Sequence, residues 1–128
     1  MDTRIVTTDR APEPVGPYSQ AVITGQFVFC SGQIAIDPST GELVTENIER
    51  ETAQVMDNLG AVLEAAGSSF GRAVKTTIYV TDMNNFGRIN EVYSSYFGEK
   101  PPARVTVEVS ALPKGAHVEI DCVALLDE

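Results

Sequence analysis

Histidine and cysteine are scarce in this 128-residue sequence, which has one His and two Cys. His117, Cys30 and Cys122 show no ligand spacing, so a structural metal is not expected and the chemistry should be metal-free. The lone His, next to a turn, reads as a solvated strand residue and supports no nucleophilic triad. Lys75, Lys100 and Lys114 lack an apolar context that would desolvate an amine for Schiff-base work. The glycines are scattered and form neither a dinucleotide fingerprint nor a phosphate loop. Basic residues are also few, 9 against 18 acidic, for a net charge of −9 that repels phosphate backbones and makes nucleic acid an unfavoured partner. No apolar run approaches the length of a membrane span, and the polar, charged start MDTRIVTTDRAPE has no secretory h-region. A soluble cytoplasmic protein is expected, with Cys30 and Cys122 as reduced core thiols.

The size matches one domain, long enough for a real core but small for an enzyme that closes a pocket alone, which directs attention to sites shared between subunits. Ile5 and Val6 open a short strand, and the prolines between Asp9 and Pro17 impose a loop. Tyr18–Ile23 and Phe27–Ser31, joined at Thr24-Gly25-Gln26, read as a β-hairpin, and Asp37–Gly41 as a turn. From Glu46 to Ala66 the apolar residues Ile48, Val55, Met56, Leu59, Val62, Leu63 and Ala66 recur at helical spacing, with Thr45 placed to cap and Gly67 to terminate. Glu46, Glu49 and Glu51 suit the positive end of that helix.

Val74–Thr81 alternates as a strand, and Asn84–Phe97 returns to helical period, with Asn90 on the same stripe as Phe86, Ile89, Tyr93 and Phe97. The last third carries two more alternating runs, Arg104–Val109 and His117–Leu125, separated by a linker with Pro113 and Gly115. A hairpin-like return is the expectation, which would put Arg104, Thr106 and Glu119 on one face and Val105, Val107 and Val109 on the other. Two helices for five or six strands predict an α+β layer fold, the helices covering one face of a mixed sheet and Thr77, Tyr79, Arg104 and Thr106 lying on the other.

The run PPARVTVEVSALPKGAHVEI from Pro101 to Ile120, with GPYSQ at Gly16–Gln20 and SGQI at Ser31–Ile34, resembles the signature of the RidA/YjgF-type reactive intermediate deaminases. The resemblance covers nearly the whole chain. It implies a chorismate-mutase-like fold assembled as a homotrimer, with the sheets in the central core and pockets in the clefts between subunits. It also implies hydrolysis of small enamine or imine acids, 2-aminoacrylate and its imine tautomer among them, to 2-keto acids and ammonia, with no cofactor. Such intermediates leak from pyridoxal-phosphate enzymes, so the implied role is protective.

Within that pattern Arg104 is the candidate carboxylate grip, since its planar fork donates two parallel hydrogen bonds. Glu119, between Val118 and Ile120, is the candidate that aims or deprotonates water, and Asp121 two residues on shares its face. Tyr18 and Ser31 are candidate pocket hydroxyls, and Gly32 leaves its backbone N–H approachable. Asn90 matches a helix Asn of the family motif. Thr106 stands where many family members have Cys, which bears on substrate range rather than on the fold. Two other readings stay open: a module that senses small carboxylates without turning them over, which would not need Glu119, and the RNA-cleaving or translation-inhibiting activity attributed to some relatives.

Overall fold

The computed structural model describes residues 2–127. Six strands form one sheet: β1 (Thr3–Val6), β2 (Ala21–Thr24), β3 (Phe27–Gln33), β4 (Ala73–Val80), β5 (Ala103–Glu108) and β6 (Val118–Leu125). Two α-helices, α1 (Ile48–Ala65) and α2 (Phe86–Ser94), complete the architecture. This is the expected α+β arrangement, a mixed sheet with both helices on one face.

Apolar periodicity explains α1: Val55, Met56, Leu59, Val62 and Leu63 are buried against the sheet. The helix begins at Asn47, not at Thr45. The Asn47 side chain accepts from the Arg50 N–H at 2.8 Å, so the expected cap lies two residues too early. Gly67, at φ +83°, ends the helix as expected. Helix α2 buries Ile89 and Tyr93 and is preceded by a short 3₁₀ turn, Met83–Asn85. Tyr18 precedes β2 and belongs to the loop.

The strand order is β1-β2-β3-β6-β4-β5. The β2–β3 hairpin is as expected, but the closing hairpin is not. β5 pairs parallel with β4, and β6 inserts antiparallel between β3 and β4, so β4 separates the two runs. Two physical features decide this. β4, α2 and β5 form a strand–helix–strand crossover, which makes the flanking strands parallel. The connection from β5 to β6 then straddles the end of β4, where Val109 N–H donates to the Val80 carbonyl at 2.8 Å and Thr81 N–H to the His117 carbonyl at 3.2 Å.

Register assigns the faces. Thr76, Ile78 and Val80 of β4 are buried under the helices and lie opposite Arg104, Thr106 and Glu108 of β5, and opposite Cys122, Ile120 and Val118 of β6. Arg104 and Thr106 therefore lie on the helix-covered face. Thr77, Tyr79, Val105, Val107, Glu119 and Asp121 share the open face, which corrects the expectation that Arg104, Thr106 and Glu119 stand together. The open face is apolar for a bare surface, with Ile5 70%, Phe29 46%, Val105 44% and Val107 38% exposed.

Candidate active site

The sequence-selected residues, all but Thr106, divide between two cavities on opposite sides of the sheet. The first, of about 320 Å³, is lined by Tyr18, Ser31, Gly32 and Glu119, with Gln33 and Ile34 beside them. The second, of about 460 Å³, holds Asn90 and Arg104 with Tyr93, Phe97 and the Pro101-Pro102 pair.

The β3–β6 ladder slips between Cys30 and Gln33, so Ser31 and Gly32 sit in the irregularity. The slip makes room for the neighbouring side chain, since a Cβ on Gly32 would lie 2.8 Å from Cδ of Glu119. Gly32 thus serves by lacking a side chain, with no positive φ involved. Ser31 is anchored twice: its N–H donates to the Gln20 carbonyl at 2.9 Å and its hydroxyl to the Ser19 carbonyl at 2.6 Å, leaving the oxygen free to accept. Tyr18 is exposed at the mouth, its phenol oxygen accepting from Val15 N–H at 3.3 Å.

Gln20 closes the GPYSQ segment. It is buried, accepts from Thr8 N–H at 2.7 Å, and donates to the Thr8 and Pro12 carbonyls at 3.0 and 2.9 Å. It ties the proline-rich loop over the cavity and satisfies backbone groups that have no strand partner.

Glu119 is half-buried, and its carboxyl is pushed above the usual carboxylate range, by burial first and then by the negative charge of Asp121. Asp121 receives Thr77 N–H at 3.2 Å and the Tyr79 hydroxyl at 3.1 Å. The charged lining of this cavity is acidic, Glu13 with Glu119, and no Lys or Arg is among its lining residues.

Arg104 supplies a cation on the other face. Its Nη1 donates to Asn90 Oδ1 at 2.6 Å, and its Cζ stands 5.4 Å from the Phe86 ring centroid and 5.1 Å from that of Tyr93. The Tyr93 hydroxyl is in turn 2.7 Å from Thr76 Oγ1. The polar Asn on the α2 stripe therefore has a structural explanation, and the two rings are support residues that their apolar periodicity disguised as core. Thr106 Oγ1 is buried without a hydrogen-bond partner, one of two such side-chain atoms among the described residues.

His117 is less free than its sequence context implied. Its N–H donates to Glu51 Oε2 at 2.7 Å and its Nδ1 lies 2.8 Å from Oε1, and Glu51 is only 1% exposed. Glu51 lies in the first turn of α1, as expected, and is also a buried anchor for the start of β6.

A sequence profile of the family described as Endoribonuclease L-PSP matches residues 8–126. A structure from Yersinia pestis, described as a protein of unknown function of the conserved Rid protein family, superposes with a TM-score of 0.95 at 48% identity, over 98% of this chain and all of its own. The chain belongs to the RidA/YjgF family. Among its relatives, a RutC family protein of Pyrococcus horikoshii is 53% identical over 94% of this chain and 95% of its own. Human 2-iminobutanoate/2-iminopropanoate deaminase is 45% identical over 95% of this chain and 89% of its own. For a RidA/YjgF chain, the division of the motif residues between two cavities is the feature that any mechanism has to accommodate.

Proposed function

We propose that this protein is a hydrolytic deaminase of small enamine and imine acids, with 2-aminoacrylate and its imine tautomer as substrates, working at sites formed between copies of a homotrimer. The observation that carries the reading is the division just described. One cavity offers a carboxylate of raised proton affinity over Gly32 but no cation, and Arg104 stands oriented on the far face of an edge strand. A second copy meeting the open sheet face supplies what each cavity lacks, and the exposed Ile5, Phe29, Val105 and Val107 give such an encounter an apolar surface to bury. The deaminase name of the mammalian relatives supports the same chemistry.

In the proposed step Arg104, oriented by Asn90 and the Phe86 and Tyr93 rings, holds the substrate carboxylate through paired hydrogen bonds. Glu119 takes a proton from water as the water oxygen bonds to the imine carbon, the C=N electron pair moves to nitrogen, and Glu119 hands that proton on to the nitrogen. The carbinolamine then collapses: Glu119 takes its hydroxyl proton and delivers it to the nitrogen as the C–N bond breaks, so that ammonia leaves a 2-keto acid and Glu119 is a carboxylate again. Tyr18, Ser31 and the backbone at Gly32 and Thr106 shape the site. The substrate is inherently reactive, so positioning together with acid–base help of about a hundredfold or more accounts for useful catalysis.

The test is pyruvate formation from 2-aminoacrylate generated in situ by a serine dehydratase. Wild type should accelerate it, and Arg104→Ala and Glu119→Ala should each return it to the uncatalysed rate. Acceleration by neither wild type nor variants, with small keto acids still bound, would favour a sensing module. The family's endoribonuclease description motivates an RNA-cleavage control, in which the charge of −9 predicts no salt-sensitive RNA binding.

A further inference from the structure

We propose that Asp121, held by Tyr79 and Thr77 on the same face of β6 as Glu119, is a positioning residue whose negative charge tunes Glu119 as a base toward water. This rests on the reading of Glu119 as the base of an imine deaminase.

The geometry is that of two neighbouring strands. Glu119 and Asp121 alternate onto the open face of β6, about 7 Å apart along the strand. On β4, Tyr79 lies directly opposite Glu119 and Thr77 opposite Asp121. The Tyr79 hydroxyl crosses diagonally to donate to Asp121 Oδ2 at 3.1 Å, and Thr77 N–H donates to Oδ1 at 3.2 Å. Each Asp121 oxygen thus has a donor that fixes its place on the open face. Glu119 has none of these donors. Two like groups in unlike surroundings divide the labour, one a fixed charge and the other a base whose proton affinity that charge raises.

The remaining charged and titratable groups facing the pair come from every side. Lys75 lies on the same face of β4, opposite Val123. Glu13 of the N-terminal loop lines the Glu119 cavity, and His117, tied to Glu51, precedes Glu119 by two residues. β3 contributes Ser31 and Gly32, and β5 contributes Val105 and Val107, none of them charged. Across the sheet, burial above all pushes the Cys30 and Cys122 thiols up to about 12, so they stay neutral. Burial first, then Asp121, also pushes the Tyr79 phenol up, keeping it a donor. In the proposed assembly a neighbouring copy's Arg104 is a further cation. This background is common to wild type and an Asp121 variant, so their difference isolates Asp121.

The experiment compares the pH dependence of kcat/KM for wild type, Asp121→Asn and Asp121→Glu, alongside ¹³C-carboxyl NMR titration of Glu119 in each intact protein. Asp121→Asn should move the acid limb and the Glu119 titration down by about half to one pH unit, the interaction of two half-exposed charges at this spacing. Asp121→Glu, which keeps the charge, should restore most of the shift. An Asp121→Asn protein whose Glu119 titrates where the wild type does overturns the proposal. If Asp121→Asn does not fold, Asp121→Ser is titrated in its place: a Glu119 that titrates lower than in wild type supports the coupling, and one that titrates where the wild type does overturns it. If wild type turns over no imine, the functional reading fails while the NMR shift still decides the coupling.

Discussion

Arg104 and Glu119 stand on opposite faces of the same sheet with β4 between their strands: Arg104 lies opposite Thr76 under the helices, and Glu119 lies opposite Tyr79 on the open side. A cation and a carboxylate so placed cannot grip one small molecule from within a single chain.

Gly32→Ala tests the first cavity. The added methyl would displace the far end of a flexible Glu119 side chain and no backbone, so the fold should stay within about 1 kcal/mol of wild type. In the proposed mechanism catalysis depends on where that carboxylate points, and kcat should fall about tenfold or more. A variant of full activity would show that the Glu119 position seen here is not the working one.

Arg104→Lys tests the carboxylate grip. An ammonium keeps the charge but cannot donate through a planar fork or lie comparably over the Phe86 and Tyr93 rings. A lost charge-assisted hydrogen bond predicts a fall in kcat/KM of about ten- to a hundredfold. Steady-state kinetics with equal values for the two proteins would leave Arg104 as a mere electrostatic neighbour.

The sequence made the local elements legible, because helical and alternating periods arise from residues a few positions apart. It also exposed the motif residues, whose types and spacing carry the family resemblance. Pairing is non-local, and there the reading failed. The alternation predicts Val105 and Val107 on the helix-covered side of their strand and Arg104 and Thr106 on the side away from the helices. On β5 the apolar residues instead face an uncovered surface, and the polar ones turn under α2, where Asn90 and two rings receive Arg104. The helix between β4 and β5 was the available signal, since it forces a parallel pair and leaves β6 to enter from the other side. His117 and Glu51, 66 residues apart, had no local pattern to betray their contact.

Glu51→Ala removes a buried carboxylate that receives the backbone N–H of His117 and faces its ring. Leaving those groups unpaired should cost about 2–4 kcal/mol in urea unfolding. Unchanged stability would mean that water replaces the carboxylate without loss.

Cys30 and Cys122 are opposite partners on β3 and β6, and burial first, then nearby negative charge, pushes both thiols up to about 12. At pH 8 almost no thiolate is present to attack, since a raised pKa keeps the proton on sulfur. An aromatic disulfide reagent should leave both unmodified in the native protein and titrate both after denaturation. Rapid native labelling would contradict the buried, protonated state.

The most direct test of the shared site mixes two inactive chains. Arg104→Ala and Glu119→Ala proteins, each without deaminase activity, are unfolded together in equal amounts and refolded, with light scattering to establish the trimer. If Arg104 of one copy and Glu119 of the next form each site, one of the three sites in each mixed trimer, or about a quarter of all sites after random mixing, regains both residues and activity returns to that extent. Mixed trimers that remain inactive would contradict the account, because they would place both residues' work within one chain.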